Sequence, residues 1–137
     1  MARVSRPGRP GAGGGRSRVT RWVMEVKAKS KYVRLAPRKA RDLARKLRGL
    51  PVDKALMLTE FSKRKAGTLI HKTLSSAGAN AENNARLDAE KLWVKEAVIE
   101  EGSALKRFWP RARGMVSHIR RRTSHICVTL TDEAPAR

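Results

Sequence analysis

Two groups of side chains in this 137-residue chain have types and spacing that could carry chemistry, and they point to different classes of protein. The first is His118, His125 and Cys127, a base-and-nucleophile set. On an extended strand His125 and Cys127 share a face, while His118 falls on the other. Nucleophilic catalysis also needs an acid to orient the base, and residues 102–131 contain none. One cysteine and three scattered histidines do not make a closed tetrahedral zinc site. No enzyme, metal or cofactor is expected. His125 reads instead as a hydrogen-bonding contact to RNA or backbone, and Cys127 as a small buried residue.

The second group is cationic. Lys106, Arg107, Arg111, Arg113, Arg120, Arg121 and Arg122 fall within about thirty residues that hold no carboxylate, so phosphate is their natural counterion. Phe108 and Trp109 sit in the same field. They could stack on bases, fill a cleft between packed RNA helices, or serve as ordinary cross-strand packing. The whole chain carries a formal charge of +20, unevenly spread: +6 over residues 1–24, +8 over 25–101, +7 over 102–131 and −1 over the rest. A balance this basic demands an anionic partner and leaves open a basic DNA- or RNA-binding protein. A helix-turn-helix over 37–48 and 52–59 would offer only Asp53, Lys54 and Thr59 to base edges, which disfavours duplex DNA. Gly8, Gly11 and Gly13–Gly15 suggest a phosphate loop, but neither their spacing nor a preceding strand fits one.

These groups must be positioned by a small scaffold. Aromatic residues are only 4% of the chain, so its core must be mostly Leu, Val, Ile and Ala. Ala40, Leu43, Ala44 and Leu47 recur at helical spacing behind Pro37 and before Gly49, which predicts a helix over about 37–48. A short helix follows Pro51, and a long one runs from 62 to about 83, with Ser62 as its cap and Asn83-Asn84 at its end. Within it, Gly78 costs up to ~1 kcal/mol unless close packing requires it. Val26, Ala28, Ser30 and Tyr32 alternate with Lys27, Lys29, Lys31 and Val33 to predict one strand. Leu92–Glu101 gives a second, and Ile126, Val128 and Leu130 mark a third. The order β, α, α, α, β, β predicts an α+β fold, three helices on a small antiparallel three-stranded sheet. The only strong turn signal between Leu92 and Leu130 is Pro110–Gly114, so a very long β-hairpin over about 94–130 must protrude from the domain.

Domain organisation follows from composition. Residues 1–24 hold five of the ten glycines and two of the six prolines and read as a basic disordered arm, 25–132 as a single α+β domain, and 133–137 as a tail. No stretch is apolar enough to span a membrane or act as a secretory signal, and Pro7, Pro10 and the glycine run oppose a transit-peptide helix. With a lone cysteine, an intracellular protein is expected.

Several motifs of the chain resemble those of a known family, the universal large-subunit ribosomal protein numbered twenty-two, in its bacterial form. They are Tyr32-Val33-Arg34-Leu35, Pro37-Arg38-Lys39-Ala40-Arg41, Leu47-Arg48-Gly49, Asn80-Ala81-Glu82-Asn83-Asn84, Glu101-Gly102, Lys106-Arg107, Pro110–Gly114 and Arg122-Thr123-Ser124-His125-Ile126. The resemblance implies a cytoplasmic ribosomal protein that binds large-subunit rRNA and supports early subunit assembly. Its globular domain would sit near the peptide exit, with the hairpin lining the exit tunnel. It implies rRNA contacts at Lys31, Arg34, Arg38, Lys39, Arg41, Asn80, Asn83, Lys106, Arg107, Arg111, Arg113, Arg120, Arg121, Arg122, Ser124 and His125. It further implies a tunnel-lining tip at Lys106, Arg107, Phe108, Trp109, Pro110, Arg111, Ala112, Arg113 and Gly114. Expected partners are neighbouring large-subunit proteins, including another tunnel-constriction protein, and the nascent polypeptide. Macrolide antibiotics would bind nearby; neither a membrane partner nor a homo-oligomer is expected. The chain departs from the family pattern at Ala36, where a capping serine is usual, and at Gly102-Ser103-Ala104, where Gly-Pro-Ser usually fixes the bend into the hairpin.

Overall fold

Alternation of Ile126, Val128 and Leu130 with Cys127 and Thr129 builds the strand on which the sheet is assembled, because its inward residues are almost wholly buried. The computed structural model describes residues 24–134. Its elements are β1 (Glu25–Val33), α1 (Pro37–Leu47), α2 (Val52–Glu60), α3 (Lys65–Ala85), β2 (Trp93–Glu101), β3 (Leu105–Pro110), β4 (Val116–Arg121) and β5 (Ser124–Thr131). Except for Met24, the arm expected over 1–24 lies outside the described residues, as do residues 135–137 of the tail.

The main sheet is antiparallel in the order β1-β5-β2, and α1 and α3 cover one face of it. Its core is aliphatic, as the composition requires: Val26, Val94, Ile99, Ile126, Val128 and Leu130 meet Leu43, Leu47, Ile70 and Leu74. β2 is an edge strand whose carbonyls would lie open. Residues 49–52 pair with its start, through Gly49 N–H to Val94 O at 2.8 Å and Val94 N–H to Leu50 O at 2.9 Å. Further along, Arg48 donates to Ala97 O at 3.2 Å and Arg41 to Ile99 O at 3.5 Å. Arg41 of α1 and Arg48 just past its end thus close the edge.

The long hairpin is present but divided. β2 and β5 are its inner half; Gly102–Ala104 and Arg122–Thr123 then break the pairing, and β3 and β4 form a separate two-stranded sheet. The bend that lacks the usual proline is tied by Gly102 N–H to Thr123 O at 3.0 Å and by the Thr123 hydroxyl to Ser103 O at 2.6 Å. As the Ala36 substitution implies, no side chain caps α1.

Three expectations are corrected. The long helix begins at Lys65 rather than 62, and Ser62 does not cap it: Gly67 packs so tightly on the preceding turn that an added Cβ would lie 2.7 Å from Ser62 Cβ. It ends at Ala85, with Arg86 rather than an asparagine in the left-handed conformation. Third, Tyr32 does not share the inward face of β1. The β1–β5 register shifts between Ser30 and Val33, and Tyr32 takes φ +54° at this bulge, so Val33 turns inward and Tyr32 outward. That conformation costs a bulky residue about 1–2 kcal/mol.

The helix glycines yield a prediction. A Cβ at Gly78 would meet nothing within 4 Å, so close packing does not require this glycine. Gly78→Ala should raise stability by up to ~1 kcal/mol in urea unfolding. Gly67→Ala should lower it by about 1–3 kcal/mol, since its Cβ would also lie 2.8 Å from Thr59 O. Equal midpoints for the two variants would contradict this packing.

Candidate nucleic-acid interface

The outer ribbon has no core of its own. Both faces of β3 are exposed along its whole length, and on β4 only Ser117 and Ile119 are half-buried. Pairing sets Lys106 opposite Arg120, Arg107 opposite Ile119, Phe108 opposite His118 and Trp109 opposite Ser117. Phe108 and Trp109 therefore point to opposite faces, each beside cations. The turn is tighter than the expected tip. Arg111 N–H bonds to Met115 O at 2.8 Å, with Arg113 and Gly114 both at positive φ. Of the nine residues expected at the tip, Lys106 and Arg107 instead lie toward the base of the ribbon, one and two register steps from the Leu105–Arg121 pair that starts it. The spacing of the motif could not reveal this, because the break at Gly102–Ala104 sets where the outer ladder begins.

At that base the ribbon and the approach to α1 enclose a cleft of about 570 Å³. Arg34, Arg107, Arg120, Arg121 and Arg122 line it, beside Leu35 and Ala36. One of the five is already paired: Arg122 donates to Glu101 at 3.1 Å, a carboxylate just outside the acid-free run. The other four have no counter-charge in the lining, an arrangement that phosphate would stabilise.

The remaining expected contacts scatter. Lys31, Arg38 and Lys39 are exposed on the same side of the sequence as Arg34, at the end of β1 and in the first turn of α1. Arg41 is exposed but has one donor committed to β2. Asn80 and Asn83 lie near the end of α3, which leads to the start of β2, at the opposite end of the sheet from the ribbon. Ser124 is a correction. It is fully buried with its hydroxyl unpartnered, because its place on β5 shares the inward face of Ile126. His125 is half-buried, and its Nδ1 accepts the Tyr32 N–H at 2.9 Å. His118 stands on the ribbon, away from His125 and Cys127 on β5, so the structure does not assemble the three. Among the described residues no group of three or more metal-binding side chains occurs, and no helix is long and apolar enough to cross a membrane. On the open face of the sheet Lys29 bonds Glu100 at 2.7 Å across β5. This hydrogen bond holds the Glu100 carboxyl below its usual range and the ammonium above its own.

A three-stranded α+β domain bearing a separate basic ribbon is the architecture implied by the motif resemblance, and comparison with known proteins decides the matter. The pattern of the family described as Ribosomal protein L22p/L17e matches residues 28–131. The chain belongs to this family. Among similar proteins is the large ribosomal subunit protein uL22 of Petrotoga mobilis, 45% identical over 112 residues, covering 82% of this chain and 75% of that one. Those of Akkermansia muciniphila and Clostridioides difficile are each 47% identical over 110 residues, covering 80% of this chain and 98% and 99% of theirs. L22p/L17e proteins are structural components of the ribosome, not enzymes, and their partners are rRNA and other ribosomal proteins. The bacterial origin of these relatives accords with a bacterial-type ribosomal protein.

Proposed function

We propose that this chain binds large-subunit rRNA as a structural component of the subunit and supports its early assembly. The globular domain sits near the peptide exit and the β3–β4 ribbon lines the nascent-chain tunnel. One observation carries this reading: the ribbon projects with seven cations nearby, no carboxylate within it and no core beneath it. An isolated two-stranded ribbon is marginal in water, so its order must come from a surrounding anionic surface. A ribbon suits that task because it satisfies its backbone hydrogen bonds internally and leaves its side chains for phosphates. Lys31, Arg34, Arg38, Lys39, Lys106, Arg111, Arg113 and the cleft arginines are the proposed phosphate contacts, with Asn80 and Asn83 a separate one at the far end of the domain. Residues Trp109 to Met115 approach the nascent polypeptide and the macrolide site. A second tunnel protein faces them across the constriction, and the setting is the bacterial cytoplasm.

A photoreactive side chain at Trp109 or Arg111 tests this. The expected result is co-sedimentation with large subunits and crosslinks to nascent chain or tunnel rRNA. Crosslinks only to rRNA at the subunit surface would overturn the tunnel placement.

A further inference from the structure

We propose that Tyr32 is a stacking platform for an unpaired nucleobase of the bound RNA, held in place by His125. The inference rests on the rRNA-binding reading and adds to it, since every contact proposed above is to phosphate and blind to sequence. In an aromatic-poor chain this ring is 64% exposed. A strained backbone holds it outward, for φ of +54° is an outlier for a bulky residue, and strain of this kind gathers at functional positions. Without the bulge, Tyr32 would point into the helix-covered face.

The ring is also oriented. Its centroid lies 4.8 Å from that of His125 with the planes at 90°, and the Tyr32 backbone N–H donates to His125 Nδ1 at 2.9 Å. A backbone N–H can only donate, so Nδ1 is unprotonated and Nε2 carries the ring proton. His125 in turn lies against Gly102, where a Cβ would come within 3.3 Å of its Cε1 and 2.5 Å of the Thr123 hydroxyl. Glycine at 102 therefore lets the imidazole sit flush, and the imidazole fixes the tyrosine. Charge around the platform suits RNA. Lys31 and Arg34 flank it in sequence, and Glu100, opposite His125 in the register, is engaged by Lys29. Phe61 is more exposed, at 84%, but no contact of this kind orients it, and it follows Glu60 at the end of α2.

The test compares Tyr32→Gly, Tyr32→Leu and Tyr32→Trp in the full chain binding transcribed large-subunit rRNA. Glycine tolerates positive φ, so Tyr32→Gly should unfold no earlier than the parent, removing misfolding as an explanation. It and Tyr32→Leu should bind about five- to a hundredfold more weakly, the range for losing one stacked base. Tyr32→Trp should bind like the parent. In every variant the slope of log affinity against log salt should stay at the parental value, because no phosphate contact is lost. Unchanged affinity in Tyr32→Gly and Tyr32→Leu would overturn the platform, leaving Tyr32 for a protein neighbour. Failure of the parent itself to prefer rRNA over duplex DNA would instead overturn the rRNA-binding reading.

Discussion

Replacing Arg34, Arg107, Arg120 and Arg121 together by glutamine should lower the salt dependence of rRNA binding by about three to four in log–log slope. Each phosphate contact contributes roughly 0.7 to 0.9 to that slope through released counterions. A difference of three in slope that vanishes near 1 M salt becomes about a thousandfold in affinity at ~0.1 M. Arg122 is left out of the set because Glu101 already pairs it. Its removal frees an acid at the mouth of the cleft, and its effect mixes a lost contact with a new repulsion. Folding should be little affected, because all four guanidinium groups are exposed and bond to nothing in the core. Lysine at the same positions should restore the slope, since charge sets it. Affinity should recover only in part if the arginines grip phosphates with paired donors. Titrations over a salt series measure both quantities, and an unchanged slope in the glutamine variant would overturn the cleft as a phosphate site.

Much of this arrangement is legible in the sequence, and what is not has local physical causes. Strictly periodic segments read well. The α1 pattern behind Pro37 and the alternation along β5 each have one dominant way to bury their apolar residues, and the structure adopts it. The acid-free run named its ligand for the same reason, as composition alone leaves no internal partner for seven cations but one. What escaped depends on contacts distant in sequence. Tyr32 belongs to the outer face only because β1 carries a bulge opposite His125, 93 residues away. Ser62 looks like a cap until Gly67 is seen to press against it. Ser124 stands two residues after the exposed Arg122, yet strand parity carries it inward. Thr123, which ties the bend at Ser103, had no signal of its own. The missing proline at the bend was the one hint that something else must hold it.

Pairing in the ribbon also separates two deletions that look alike in sequence. Removing Lys106, Arg107 and Phe108 takes three residues from one arm and none from the other. Side chains alternate with period two, so an odd deletion puts Trp109 on the wrong face relative to the base of the ribbon. Removing Arg107-Phe108 together with His118-Ile119 takes two opposed pairs, keeps the register and shortens the ribbon by about 7 Å. Neither deletion touches a core residue, so both should leave the unfolding free energy within about 0.5 kcal/mol of the parent. Subunit assembly should survive in both, because the cleft keeps most of its arginines. The paired deletion should lower the salt slope by only about one, for the loss of Arg107. The one-sided deletion should lower it by about two and weaken binding further through the misplaced face. Macrolide sensitivity, scored by growth inhibition of cells carrying each variant as the sole copy, should change in both. In the paired deletion the cause is a tip withdrawn from the tunnel wall; in the other it is a disordered one. If the paired deletion alone left the macrolide response intact, the tip would not reach the drug site. If either deletion lowered domain stability by several kcal/mol, the ribbon would be part of the fold rather than an appendage ordered by RNA.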